Sequence, residues 1–538
     1  MKKIDKTTYF WLLAGIIGLL IFIKFFNYAF PAASINIRFT GKEIIRKASN
    51  FVKAQGFDLK GFDQTVVFDS DYQASIYLQK TQGIKKSNEL IQQGIPVWFW
   101  SVRWFKELKK DGFYCALDPS TGEVIHFQHF MLDDEAGGNL DIDQAMNFAI
   151  DQAKSQGIDL ANYELKENEQ KKQKNRTDYH YVWQKKDYAI DDATLRFGIS
   201  IFGNTLGYYG KFLDVPEEFN RNLTKEISLG QMLSIITMIF MFSFFIGAIV
   251  ILAIQFKKDK INWKFGLIPG VLICLISIIE FINNIPLLWS AYPDTISKNV
   301  FLATSAGVQL IGALLIGLMV FLFGSSGESL SHDMLSLKMP MVNFFKQKSR
   351  KDSDVLDSLI VGYSSAFIFL GYITLFYLWG RKFFNIWMPP EAEYSNMLGA
   401  SFPILAPLII ALTASVSEEF IFRLFAIPFL KKCLKLTWLG VLLPAMVWAF
   451  AHSNYPVFPA YVRGIELTIA GIVFGMIFLK YGLGAVLISH FVIDAVLVVI
   501  PLLKSGNSYF YLSGIIVIVT MFIPVFFILA MKNKKLKK

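Results

Sequence analysis

The chain has 538 residues, 54% apolar and 18% charged, with Phe, Tyr and Trp making up 15% and a mean hydropathy of +0.42. These values exclude a disordered or fibrous chain and lie above those of an ordinary soluble enzyme. Three scattered cysteines, Cys115, Cys274 and Cys433, exclude a disulfide framework and a Cys-rich metal site. The net charge of +10 does not point to nucleic acid, because the lysines cluster beside apolar stretches, where they set topology.

Those stretches recur at about 20 residues, long enough to cross the hydrocarbon core of a bilayer. After a short basic lead, Met1–Thr7, residues 8–30 form a first span, interrupted by Lys24, whose stem can snorkel outward. Pro31-Ala32-Ala33-Ser34 offers the small residues of a signal cleavage site, but the length of the apolar segment favours an uncleaved anchor. Residues 31–228 are polar. Further spans fall near 232–254, 265–288, 300–323, 358–380, 400–428, 437–453, 464–480, 483–502 and 509–531. The expected fold is therefore mainly α, a polytopic helical membrane bundle of about ten spans, with an extracytoplasmic α+β domain between spans one and two. The chain divides into an anchor (1–30), the outside region (31–228), spans two to four with a cytosolic loop (229–357) and a last unit (358–538).

Charge placement orients this bundle. With Met1 cytosolic, the inside segments hold 21 Lys and Arg residues; the short outside loops hold five, Lys298, Arg381, Lys382, Arg463 and Lys504. That asymmetry places both termini in the cytosol and 31–228 outside.

The outside region contains a repeat at an offset of 101 residues, Ala48–Phe62 (ASNFVKAQGFDLKGF) and Ala149–Tyr163 (AIDQAKSQGIDLANY). Each copy predicts an amphipathic helix closed by a glycine C-cap. Alternating segments predict strands at 64–68, 74–79, 97–105 and 112–130 after the first helix, and at 179–185 and 195–209 after the second. A helix on a small antiparallel sheet, twice over, resembles the PepSY-type modules found outside bacterial membranes; its ligand is unknown. His126, His129 and His180 fall here and read as packed or surface histidines.

An ionisable side chain at the bilayer centre costs roughly 2.5–3.5 kcal/mol on insertion scales, so each one needs a reason. The acidic residues within spans are Glu280, Glu418, Glu419, Glu466 and Asp494, joined by two histidines, His452 and His490. All but Glu280 fall in the last third of the chain, which marks a built site there. Arg423 lies four positions after Glu419, so the two can pair along one helix face, and Glu418 stays free to face another helix. Trp448 precedes His452 by one turn, and His490 shares a face with Asp494. Lys435 is 17 residues from both Glu418 and His452, so two antiparallel helices joined there bring them to one depth. Glu466, three positions after Arg463, reads as a local ion pair, and Glu280 with Asn283 and Asn284 as a polar helix contact.

These motifs, Glu418-Glu419-x-x-x-Arg423, Trp448-x-x-x-His452 and His490-x-x-x-Asp494, resemble those of the CPBP family. That family includes the type II CAAX prenyl endopeptidases and the bacteriocin-associated Abi membrane proteases. Its second motif usually has Phe where this chain has Trp448. The resemblance, over roughly 358–502, implies an intramembrane protease acting on membrane-associated peptides or proteins in a bacterial cell membrane, with no nucleic acid involved. It implies that Glu418 activates water, His452 positions it, and His490, oriented by Asp494, stabilises the oxyanion. Glu419 with Arg423 is then a supporting pair. No metal is required on this reading; if one is, the two histidines and two carboxylates Glu418, His452, His490 and Asp494 are plausible zinc ligands. Rival readings are a proton-coupled transporter, for which no matching second half is found, and a non-catalytic scaffold or bacteriocin-immunity protein, against which the intact motifs argue.

Overall fold

The computed structural model describes residues 6–335, 352–388 and 397–526. The basic residues at 336–351 and 532–538, which carry part of the charge asymmetry, and the end of the last expected span lie outside the described residues.

The chain opens on α1 (Lys6–Ala29) and then builds the region expected to lie outside. There α2 (Gly41–Ala54), β1 (Asp63–Ser70), α3 (Tyr72–Gln92), β2 (Trp98–Lys106), β3 (Lys109–Leu117) and β4 (Val124–Phe130) are followed by α4 (Ile142–Ser155), β5 (Tyr163–Lys172), β6 (Thr177–Ile190), β7 (Ala193–Phe202) and β8 (Thr205–Asp214). The strands form one antiparallel sheet of order β1-β2-β3-β4-β8-β7-β6-β5, two four-stranded meanders joined by the β4–β8 pairing. The two halves start alike. Thr40 with Glu43 and Asp141 with Gln144 form capping boxes at α2 and α4. Gly56 and Gly157, at φ of 89° and 71°, close those helices in the left-handed conformation that glycine adopts without strain. The helices bury Ile44, Ala48 and Val52 in one and Ala145, Ala149 and Ala153 in the other.

Three strand expectations need correction. Residues 74–79 are helical: Asp71 caps α3 by accepting from the Ala74 N–H at 3.0 Å, and all six side chains are buried, which hides helical periodicity. The expected strand 112–130 is two strands, β3 and β4, and 195–209 likewise spans β7 and β8. Strand β5 was not expected, because its residues are charged and exposed, as befits the edge of a sheet.

The chain returns through α5 (Glu217–Phe256), α6 (Trp263–Asn283), α7 (Lys298–Leu335), α8 (Asp352–Phe384), α9 (Leu405–Glu418), a π-helical segment (Glu419–Ala426), α10 (Ile427–Leu434), α11 (Thr437–Ala451), α12 (Val462–Tyr481), α13 (Leu483–Lys504) and α14 (Ser508–Met521). Among the described residues eight helices are long and apolar enough to cross a membrane, counting α9 through α10 as one; α11 and α14 are shorter apolar helices. The first span packs as a member of the bundle. Phe22, Phe26 and Phe30 are buried, Trp11 donates to the Tyr481 hydroxyl at 3.0 Å, and Arg381 holds the last carbonyls of α1, those of Tyr28 and Ala29. The sheet rests on the bundle through Thr65, which donates to the Pro286 carbonyl at 2.7 Å, and Arg103, which donates to those of Ser290 and Tyr292.

His126 lies at the seam of the two meanders, edge-on to Tyr114 and Tyr208 at 5.3 and 4.9 Å. Burial pushes its imidazole down to about 4. The unfolded chain takes up that proton at a higher pH than the folded one, so stability falls as pH drops from about 6.5 to 4, by up to about 3 kcal/mol. Melting curves of the full chain near pH 7 and pH 4.5 should show that His126→Phe loses less than the wild type. Equal losses would remove His126 from the acid response.

Candidate active site

Three membrane helices deliver the site. Lys435, in the left-handed conformation at φ 59°, turns the chain between α10 and α11. The antiparallel return brings His452 Nε2 to 3.8 Å from Glu418 Oε1, as the equal arms predicted. From α13, His490 Nε2 lies 3.8 Å from the other Glu418 oxygen and 3.3 Å from Asp494 Oδ2. The four expected catalytic side chains thus converge.

Their other contacts fix orientation. His452 Nδ1 is 2.8 Å from the Trp448 carbonyl, one turn back, so the ring presents Nε2 to Glu418. The Trp448 indole N–H donates to Glu418 Oε2. Glu419 Oε1 is 3.0 Å from the Arg423 guanidinium, the expected pair, and also 2.8 Å from His490 Nδ1. The Arg423 guanidinium lies over the rings of Trp448 and Phe474, at 4.2 and 5.1 Å from their centroids. Exposure divides the cluster in two: the Glu418, His452 and Asp494 side chains are 23%, 19% and 25% exposed, whereas Glu419 and Arg423 are 0% and 2%. The first three are partly exposed, and the pair is buried.

Several features were not visible in the sequence. The helix bearing Glu419 and Arg423 is a π-helix over Glu419–Ala426, with all eight residues buried. Such segments are uncommon and concentrate at functional sites. On α7, Ser331 donates to the carbonyl of Leu424 in the π segment at 2.8 Å, Gly327 lets the α7 backbone approach that of Leu424, and Gly324 makes room for the Phe420 ring. The link from Glu419 to His490 joins residues 71 apart, which no local spacing reveals. Tyr455 packs beside His452 with ring centroids 5.4 Å apart. Elsewhere, Glu466 pairs with Arg463 at 2.8 Å as expected and also accepts from the Tyr377 hydroxyl at 2.7 Å. Asn283, expected with Glu280 as a polar helix contact, accepts from the Phe402 N–H in the turn before α9 at 2.7 Å.

Among the described residues no three His, Cys, Asp or Glu side chains sit close enough together to hold a metal ion. One Glu418 oxygen is already engaged by Trp448.

Residues 400–496 match the family model of the type II CAAX prenyl endopeptidase Rce1-like proteins. That interval holds all seven residues of the cluster and bears out the resemblance drawn from the three motifs. The chain is also similar to the sporulation-killing factor biosynthesis protein SkfC of Bacillus subtilis (strain 168), 22% identical over 92% of this chain and 95% of that protein. No solved structure matches. A stretch similar to these endopeptidases, residues 400–496, thus lies in a chain whose described residues include eight helices long and apolar enough to cross a membrane.

Proposed function

We propose that the chain is an intramembrane endopeptidase that cleaves membrane-associated peptides or proteins, with Glu418 as its water-activating base. One observation carries this reading: two imidazoles from different helices aim Nε2 at the same carboxylate, each at 3.8 Å. That spacing is too long for direct hydrogen bonds and suits a water touching the carboxylate and an imidazole together. Glu418 takes the proton as the water attacks the scissile carbonyl, then returns it to the leaving amine. His490 meets a carboxylate at each ring nitrogen, Glu419 at Nδ1 and Asp494 at Nε2, and satisfies both by carrying a proton on each. Glu419 keeps the Nδ1 side, and the Nε2–H, shared with Asp494 at 3.3 Å before substrate arrives, turns to the developing oxyanion. Asp494 thus orients His490 instead of facing the oxyanion itself. Cleavage of a membrane peptide by the purified wild type, lost in Glu418→Gln, tests the assignment; an inert wild type would favour a scaffold.

The relative's name ties it to making a killing factor, and on that footing the proposed substrate is a membrane-associated precursor of an exported product. Crosslinking an inactive Glu418→Ala form in cells and identifying the captured peptides by mass spectrometry would name it. About ten spans, both termini in the cytosol and a PepSY-like outside region in a bacterial cell membrane complete the proposal. Cysteine labelling of intact cells should modify Leu160→Cys and spare Phe345→Cys, and the reverse pattern would overturn the topology.

Trp448 stands where the resembled family usually has Phe, and only Trp brings a donor to Glu418. Trp448→Phe keeps a ring and removes one hydrogen bond to a charged group, worth about 1.5–3 kcal/mol. The expected result is a kcat roughly 10- to 100-fold lower at unchanged KM. An unchanged kcat would show that Glu418 needs no such anchor.

A further inference from the structure

Helix α5 is a continuous rod of 40 residues that runs from the outside region into the bundle. Three of its residues, spaced four apart and so on one face, meet the segment around and after His452. Glu226 accepts the Ala460 N–H at 3.0 Å. Gly230 lies so close to Ser453 that an added Cβ would stand 2.2 Å from the Ser453 carbonyl oxygen. Ser234 donates to the carbonyl of Ala451, the residue immediately before His452, at 2.9 Å. The far side of the same segment is pinned by paired backbone hydrogen bonds between Trp387 and Phe458, of 3.0 and 2.9 Å, and by their rings, stacked 4.4 Å apart.

The outer turns of α5 are in turn fixed to the sheet region. Phe219 packs edge-on to Tyr77 of α3 at 5.0 Å, and the Lys80 ammonium lies over the rings of Phe219 and Trp387. Ile76 of α3, Leu223 of α5, Trp387 and Phe458 form one buried cluster. A single rigid element therefore touches the outside region at one end and the backbone on both sides of His452 further along. A helix end free to settle would not need a hydroxyl for the Ala451 carbonyl and a side-chain-free contact at Ser453.

We infer that α5 positions His452 for the reaction, with Glu226, Gly230 and Ser234 as positioning residues, and that the outside region governs the site through this rod. The inference rests on the catalytic reading of His452. It makes the sheet region a control element, in which a load on α3 is felt at the water-positioning imidazole.

The test is Gly230→Ala in the full chain, purified in detergent, with two readouts. One is the split between kcat and KM on a cleaved membrane peptide. The other is the rate at which diethyl pyrocarbonate modifies His452, followed by mass spectrometry, with His180 on the outside sheet as the internal reference. Relieving a 2.2 Å contact takes roughly 1 Å of movement, enough to cost about 10²-fold in kcat, with KM within about twofold. The His452 modification rate should change by at least about threefold while that of His180 holds, because only the His452 segment is displaced. Ile76→Ala in the sheet region should move both readouts in the same direction by a smaller factor. A wild-type kcat together with a wild-type His452 rate in Gly230→Ala would overturn the inference. If Gly230→Ala fails to fold, Ser234→Ala carries the same two readouts to the same decision. An inactive wild type would sink the protease reading alone, since the modification rate still reports whether α5 holds His452.

Discussion

Glu418→Ala, His452→Ala and His490→Ala should each nearly abolish cleavage of a membrane peptide while the protein stays folded, and the triple variant should be scarcely worse than any one of them. Groups that act as a unit lose activity non-additively, because once the activated water or its oxyanion partner is gone the others have nothing left to serve. The geometry requires this: Glu418 is the shared partner of both imidazoles, so each histidine acts through the same carboxylate. Glu418→Asp should retain little, since withdrawing the carboxylate by one methylene misplaces the water, and about 1 Å of misplacement can cost 10²-fold. Strong chelators should leave the wild type active; loss of activity restored by zinc would assign the same four side chains to a metal instead. Independent, additive losses from the three alanine variants would separate the residues into unconnected roles, and full activity in Glu418→Ala would falsify the mechanism.

How much of this was legible in the sequence depended on distance along the chain. The convergence of Glu418 and His452 followed from helix rise and a turn at Lys435, because two arms of equal length must return to one depth. The Glu419–Arg423 and Arg463–Glu466 pairs followed from helical spacing alone. The bond from Glu419 to His490 did not, since it depends on how two helices pack. The π segment was hidden because Phe420–Ala426 is apolar except for Arg423, and an all-round buried helix shows no face whose period could be read. The same blindness turned residues 74–79 into a strand. The α2 and α4 ends were legible because a glycine at positive φ and a capping box are local chemistry. The contact of α5 with the His452 segment joins residues more than two hundred positions apart, and no sequence period announces it.

Glu419→Gln should damage folding far more than Glu418→Gln, although the two residues are neighbours of the same type. Glu418 is partly exposed, and losing its charge leaves two imidazoles with other partners, the Trp448 carbonyl and the pair Glu419 and Asp494. Glu419 is fully buried, and its Oε1 serves both Arg423 and His490. Making it neutral leaves a guanidinium buried against Trp448 and Phe474 without its counter-charge, which typically costs about 3–5 kcal/mol. The expected readout is a lower detergent-extracted yield and melting temperature for Glu419→Gln, with Glu418→Gln close to the wild type. Removing both charges should recover much of the loss, because an apolar pair of similar volume imposes no desolvation of an unpaired ion. Glu419→Leu combined with Arg423→Met should therefore melt above Glu419→Gln, yet stay inactive, since His490 would have lost the carboxylate that orients its ring. Equal melting temperatures for Glu418→Gln and Glu419→Gln would remove the structural role assigned to Glu419. Activity in the double variant would show that His490 is held by Asp494 alone.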